Sequence, residues 1–205
     1  QKNSVMNTPH VVLLNDTEEV IYASENYFTI TALDDGYLTL TAPEESGSFK
    51  YRKNKGNWKE SEGEYGIDVE PGDTVQISCE SNSFKYSITN TLLSSSNVRF
   101  DVSGNIMSLI YGDNFIGQTT LKSANCFSYL LYNSNVVSAK NLILPATTLT
   151  SSCYSYMFSG CTMLKKAPEL QATTLADSCY SHMFSGCCIL TTSPELPART
   201  LVSSC

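Results

Sequence analysis

Two segments of this chain carry residue types whose spacing could do chemistry: SSCYSYMFSGC over 151–161 and DSCYSHMFSGC over 177–187. Paired cysteines can ligate zinc or exchange disulfides, the thiolate being the reactive form in both cases. The spacing argues against zinc. Cys153 and Cys161, like Cys179 and Cys187, lie too far apart for the two-to-four-residue gap of a zinc knuckle, and no histidine recurs in phase with them. No metal ligands and no cofactor are therefore expected. Free cysteine behaves as a small hydrophobe and is among the most buried residue types. Cys126, Cys153, Cys161, Cys179, Cys187 and Cys205 are accordingly expected to fill a core in ladders. Disulfides are the alternative: like-phase thiols stacked at strand spacing, about 5 Å apart, fall inside disulfide range in an oxidising compartment. Cys79 has no partner by phase, and Cys187 and Cys188 are too close in sequence to pair easily.

The elements that position these thiols follow from a repeat. LPATTLTSSCYSYMFSGCTMLKKAPE (144–169) is followed by LQATTLADSCYSHMFSGCCILTTSPE (170–195), and LPARTLVSSC (196–205) opens a third copy. A degenerate copy, QTTLKSANCFSYLLYNSNVVSAKNLIL, precedes them over 118–144. Self-similarity at such a period marks units that bury their apolar faces by stacking. In the first full unit Cys153, Met157, Phe158 and Cys161 read as one helical stripe, and Gly160 stands where a helix stops. The spacing thus predicts a helix over 148–159, capped by Thr147 or Thr148. A short extended segment with Met163 or Leu164, Ala167 and Leu170 pointing inward should follow, kept to three or four residues by Pro168 and Pro194. Strand plus helix at this period is leucine-rich-repeat geometry.

These two units resemble the cysteine-containing variant of the BspA-like leucine-rich repeats of Bacteroides-type surface proteins, and VSGNIMSLIYGDNF (102–115) resembles the segment that leads into such arrays. The resemblance covers about half of the chain. It implies a secreted or cell-surface lipoprotein, lipid-anchored through a removed N-terminal segment, with an adhesion role and no catalytic residues.

The N-terminal half has another texture. YFTITAL (27–33), YLTLTAP (37–43), SFKYRK (48–53), TVQISCE (74–80), KYSITN (85–90) and NVRFDV (97–102) alternate in the manner of short strands, separated by turn clusters such as Asp34-Asp35-Gly36 and Pro71-Gly72-Asp73. They predict an antiparallel immunoglobulin-like sandwich. The fold class expected is therefore two-domain, a β-sandwich followed by a short α/β leucine-rich-repeat solenoid. Its boundaries are a tether over 1–22 with a first strand over 19–23, the sandwich over 23–101, and the repeat region over 102–205. The last divides into a lead-in segment (102–117), a degenerate repeat (118–143), two repeats (144–169 and 170–195) and a partial repeat (196–205).

Composition narrows the function. The formal net charge of −7 argues against nucleic acid, whose binders need a basic stripe. The basic stretch KYRKNKGNWK (50–59) is read as a solvated turn, followed as it is by Glu60, Glu62 and Glu64. No apolar run is long enough to span a membrane as a helix. Catalytic patterns are missing: only His10 and His182 occur, and Tyr156 holds the position of His182 one unit earlier. Asp101 and Asp113 are the carboxylates considered for paired acid–base work, with nothing in their spacing to favour it. The expected function is non-enzymatic: a cell-surface binding or adhesion module with a protein partner such as a host or matrix protein. The residues flanking the repeat strands, Lys165, Lys166, Glu169, Thr191, Thr192 and Glu195, would form the binding rows. An accessory glycan-capture role is the alternative, with Tyr51 and Trp58 as an aromatic platform. The incomplete last repeat also offers a face for self-association.

Overall fold

The computed structural model describes residues 24–44, 46–61, 63–93 and 95–205. The expected tether over 1–22 and the strand expected over 19–23 lie outside these residues. Alternating apolar residues build the first half. In β1 (Phe28–Ala32) they are Phe28, Ile30 and Ala32, and in β6 (Thr74–Cys79) Val75, Ile77 and Cys79, all solvent-excluded on one face. Around this antiparallel pair the sheet extends on one side through β3 (Phe49–Lys53) to the short β4 (Lys59–Glu60), and on the other through β7 (Phe100–Asn105) to β8 (Val136–Ile143). The β3–β4 hairpin turns at Asn54 and Lys55, whose φ of 50° and 56° suit a primed turn. Strands β2 (Gly36–Thr41) and β5 (Glu64–Val69) form a separate antiparallel ribbon. Leu38, Leu40, Ile67 and Val69 join it to the same core, and the Tyr65 ring of β5 lies 5.0 Å from that of Tyr51 in β3.

Two contacts carry the chain from this sheet into the repeats. Strand β8 pairs with β7 in parallel, with register shifts on either side of Asp101. The short helix α1 (Ser108–Tyr111), continued by a 3-10 turn over Gly112–Asn114, is fastened by the buried Ser108 hydroxyl. That hydroxyl accepts from the Phe28 N–H at 2.9 Å and donates to the Ile77 carbonyl at 2.9 Å.

These findings overturn the expected fold class. The sheet is a mixed one of six strands, with no immunoglobulin-like sandwich, and its last strand comes from the region assigned to the repeats. The α/β leucine-rich-repeat solenoid is not formed either: the segment 148–159, expected to be helical, is a run of turns. The physical reason lies in where the backbone donors go. Ser152, Tyr154, Tyr156, Phe158 and Gly160 donate to carbonyls of the following unit, at Asp177, Cys179, Ser181, Met183 and Ser185. The residues between them, Cys153, Ser155, Met157, Ser159 and Cys161, donate to the carbonyl three residues back. An α-helix would keep every such donor inside itself. Here alternate donors leave for the neighbouring row, and the chain bends back by taking a left-handed residue at every fourth position: Asn125, Tyr129 and Asn133; Ser152, Tyr156 and Gly160; Ser178, His182 and Gly186. Phe84, Tyr86 and Leu92 donate in the same sense to Cys126, Ser128 and Leu130, so KYSITN serves as backbone for the first row rather than as a strand; only a Ser87–Asn90 bridge forms within it.

Side chains follow the rows. Phe127, Tyr154 and Tyr180 stack at 6.0 and 5.9 Å, and Tyr129, Tyr156 and His182 at 4.7 Å, nearly coplanar. Gly160 and Gly186 share a left-handed φ near 75°, where a Cβ costs roughly 1–2 kcal/mol. At Gly160 an added Cβ would also collide with the Asn133 side chain, whereas at Gly186 it would meet only the Gly160 backbone at 3.5 Å. Gly160→Ala should therefore destabilise more than Gly186→Ala, by about 1–3 kcal/mol of overpacking, in urea unfolding of the two variants; equal midpoints would show that the rows are not packed this way.

Two half-buried carboxylates tie loops to the sheet. Asp34, in the β1–β2 turn, is gripped by the Arg99 side chain at 2.7 and 3.0 Å and by its N–H at 2.9 Å, and these hydrogen bonds lower its pKa to about 2. Asp73 accepts from Asn54 and Lys53 and is likewise held at about 2. A depressed acid stabilises the fold above its unfolded pKa, near 4, and that contribution disappears as pH falls toward 2. The Asp34→Asn and Asp73→Asn double variant should show a flatter loss of unfolding midpoint between pH 4 and 2 than the parent chain; parallel pH profiles would remove these two groups from the acid response.

Candidate functional site

The extended segments after each turn run lie side by side, and their packing makes the cleft. Lys165 donates its N–H to the Val137 carbonyl at 2.8 Å and Lys166 accepts from the Ala139 N–H at 2.9 Å, which seats this segment against β8. The next segment, one unit later, is not hydrogen-bonded to it: among the described residues no backbone donor from 191 to 198 finds a backbone acceptor. Pro168, Pro194 and Pro197 lack the N–H that such a ladder would need. An open cleft of about 750 Å³ results, lined by residues 165–170, 191–197 and Lys140. All six expected binding residues, Lys165, Lys166, Glu169, Thr191, Thr192 and Glu195, stand exposed in it.

The cleft is charged and unpaired. Among the described residues none of Lys140, Lys165, Lys166, Glu169 and Glu195 makes a salt bridge within the chain. The floor is apolar at Pro168 and Leu170, both buried, and at the half-buried Ala167 and Pro194. Asp101 lies behind this wall, beside Ser138 and Lys166; burial raises its pKa, while the Ser138 backbone hydrogen bond and the Lys166 charge oppose the rise. Asp113 stands elsewhere, with Lys50 at 2.7 Å, Ser78 at 3.0 Å and Tyr27 at 3.1 Å. The two carboxylates considered as a pair are thus given separate environments.

Tyr51 and Trp58 are not brought together as a platform. Tyr51 is 2 % exposed and packs against the β2–β5 ribbon. Trp58, half-buried, lies on the other face with Tyr27, their rings 4.9 Å apart. Its ring is approached by the Arg52 guanidinium at 4.6 Å and the Lys50 ammonium at 4.9 Å. Arg52 is held by Gln76 at 2.8 Å, and the hydrogen bond from Lys50 keeps Asp113 below its ordinary pKa against partial burial. This aromatic and cationic cluster was missed by reading KYRKNKGNWK as a solvated turn. The signal was present: Lys50 and Arg52 are two apart in a strand and so share a face, onto which the hairpin returns Trp58. Compared with protein-family models, curated proteins and solved structures, the chain matches none.

The cysteines have two fates. Cys126, Cys153, Cys161 and Cys179 are buried, and Cys187 and Cys205 half-buried. Cys161 donates its thiol to the Leu131 carbonyl at 3.0 Å and Cys187 to that of Phe158 at 3.2 Å. Burial pushes Cys161 and Cys79 up to about 12 and raises Cys153 as well, so these thiols stay protonated at neutral pH and are poor nucleophiles. Among the described residues no three His, Cys, Asp or Glu side chains converge as metal ligands. Brief treatment of the native chain with iodoacetamide at neutral pH should modify the exposed Cys188 and leave Cys79, Cys153 and Cys161 untouched until denaturant is added, as read by peptide mapping. Native labelling of Cys153 or Cys161 would mean that the rows open.

Proposed function

We propose that this chain is a non-enzymatic binding module that holds an extended polypeptide in the cleft beside β8. The observation that carries the reading is the cleft wall over 191–197, which makes no backbone hydrogen bond among the described residues, whereas the facing segment is seated on β8 through Lys165 and Lys166. An extended peptide can satisfy such backbone groups as a strand added to an edge does. The charged rim would select it: Lys140, Lys165 and Lys166 for acidic side chains, and Glu169 and Glu195 for basic ones. The buried Pro168 and Leu170 offer an apolar floor between them. A cell-exterior location fits this reading and is supported by the resemblance of the repeats to those of surface proteins. No helix among the described residues is long and apolar enough to cross a membrane.

The test is a selection of short linear peptides displayed on phage, panned on the intact chain and then measured against two charge-reversed variants, Lys165→Glu with Lys166→Glu and Glu169→Lys with Glu195→Lys. Enriched peptides should lose about tenfold or more in affinity for at least one variant, equivalent to about 1.4 kcal/mol, and should shift amide resonances of residues 165–170 and 191–197. Peptides that bind both variants as well as the parent, or that shift resonances only elsewhere, would overturn the reading.

A further inference from the structure

One pair of thiols stands apart from the rest. In the column formed by Cys153, Cys179 and Cys205, the Cys153 sulfur points at the Cys179 carbonyl at 4.0 Å, but the Cys179 and Cys205 sulfurs face each other at 2.6 Å. Non-bonded heavy atoms settle at roughly 3.5–4.0 Å even for carbon, and sulfur is larger. A distance of 2.6 Å is therefore repulsive for two separate thiols, and it falls toward the 2.05 Å or so of a sulfur–sulfur bond. The row geometry enforces the approach. Ser178 donates its N–H to the Ser203 carbonyl at 3.0 Å, which fixes the two segments in register one residue before Cys179 and two before Cys205. The second column shows no such meeting, because Cys161 and Cys187 each spend their thiol on a backbone carbonyl of the preceding row.

We propose that Cys179 and Cys205 form a disulfide, a covalent cross-link between successive rows, when the chain meets a low-molecular-weight disulfide oxidant. The half-buried Cys205 is reached first: its thiolate attacks one sulfur of the oxidant RSSR, releasing one thiolate RS⁻ and leaving a mixed disulfide. Cys179 then gives up its proton to water or to the released RS⁻ and attacks the Cys205 sulfur, expelling the second RS⁻. The balance is two protein thiols plus RSSR giving one protein disulfide plus two RSH, with the protein oxidised by two electrons and the oxidant reduced by two. Burial, and then the hydrogen bond with Cys205, raises the Cys179 pKa to about 12, which disfavours it for the first attack; its closeness to the Cys205 sulfur makes the resolving step intramolecular. The cross-link is independent of peptide binding in the cleft, from which neither sulfur is part of the lining.

The experiment exposes the intact chain to oxidised glutathione at neutral pH, quenches with acid, alkylates in denaturant without reduction, and counts a glutathione adduct, identified by its mass, with the alkylated thiols, since the exposed Cys188 can carry one. Six of the eight cysteines should be alkylated, a non-reduced peptide map should join Cys179 to Cys205, and dithiothreitol should restore eight. Cys188→Ser should keep the link. Cys205→Ser, a change at a half-buried site, should leave all seven remaining cysteines open to alkylation. Eight alkylated cysteines after oxidation, a map joining any other pair, or a Cys205→Ser chain that still loses two thiols would overturn the proposal.

Discussion

The structure of the second half depends on one division of labour among backbone donors: alternate N–H groups serve the row they belong to and the others serve the next. Neither set alone would hold a row. The local bonds close four-residue turns that are marginal by themselves, and the row-to-row bonds need both rows bent to the same path. Left-handed residues at every fourth position keep that path in step. Tyr129, Tyr156 and His182 adopt this conformation despite the Cβ cost, and their rings stack nearly parallel at 4.7 Å, an aromatic contact that favours the rows.

The sheet and the rows share a core rather than meeting at a surface. Strand β8 lies against β7 on one side and receives the 165–166 segment on the other, so the cleft is built out from the edge of the six-stranded sheet. Ser108 locks α1 to β1 and β6 at the same junction. The prolines then decide where the ladder stops. They withhold donors where a further backbone pairing would have closed the cleft, and the charged side chains beside them are left facing solvent.

Much of the first half was legible because alternation in short apolar runs has a single reading. YFTITAL, YLTLTAP, SFKYRK and TVQISCE correspond to β1, β2, β3 and β6 within a residue or two. EYGIDV and VVSAKNLI were not, since β5 alternates weakly and β8 carries Lys140 and Asn141 exposed in mid-strand. The assembly of strands was beyond local pattern: pairing β8 with β7 takes a crossover that no residue spells out. In the repeats the period was plain and the conformation was not. Cys153, Met157 and Cys161 recur every fourth residue, a spacing that a helical stripe and a chain of four-residue turns both satisfy, and the left-handed positions fall on Ser152 and Tyr156, residue types that do not announce them. The cleft residues were found because the repeat itself puts them in rows, while the Trp58 cluster required knowing which face of β3 the hairpin covers.

Within the turn runs the row-to-row bonds point one way, from the N–H of an earlier unit to the carbonyl of a later one. The stack therefore has polarity, and each unit presents the same acceptors behind and the same donors ahead. A gene duplication that copies one whole unit would insert a row without altering any bond made by its neighbours, whereas an insertion of any other length would shift the left-handed positions out of step. Length in this architecture is quantised: evolution can lengthen or shorten the stack in whole units, and with it the groove of extended segments that runs alongside.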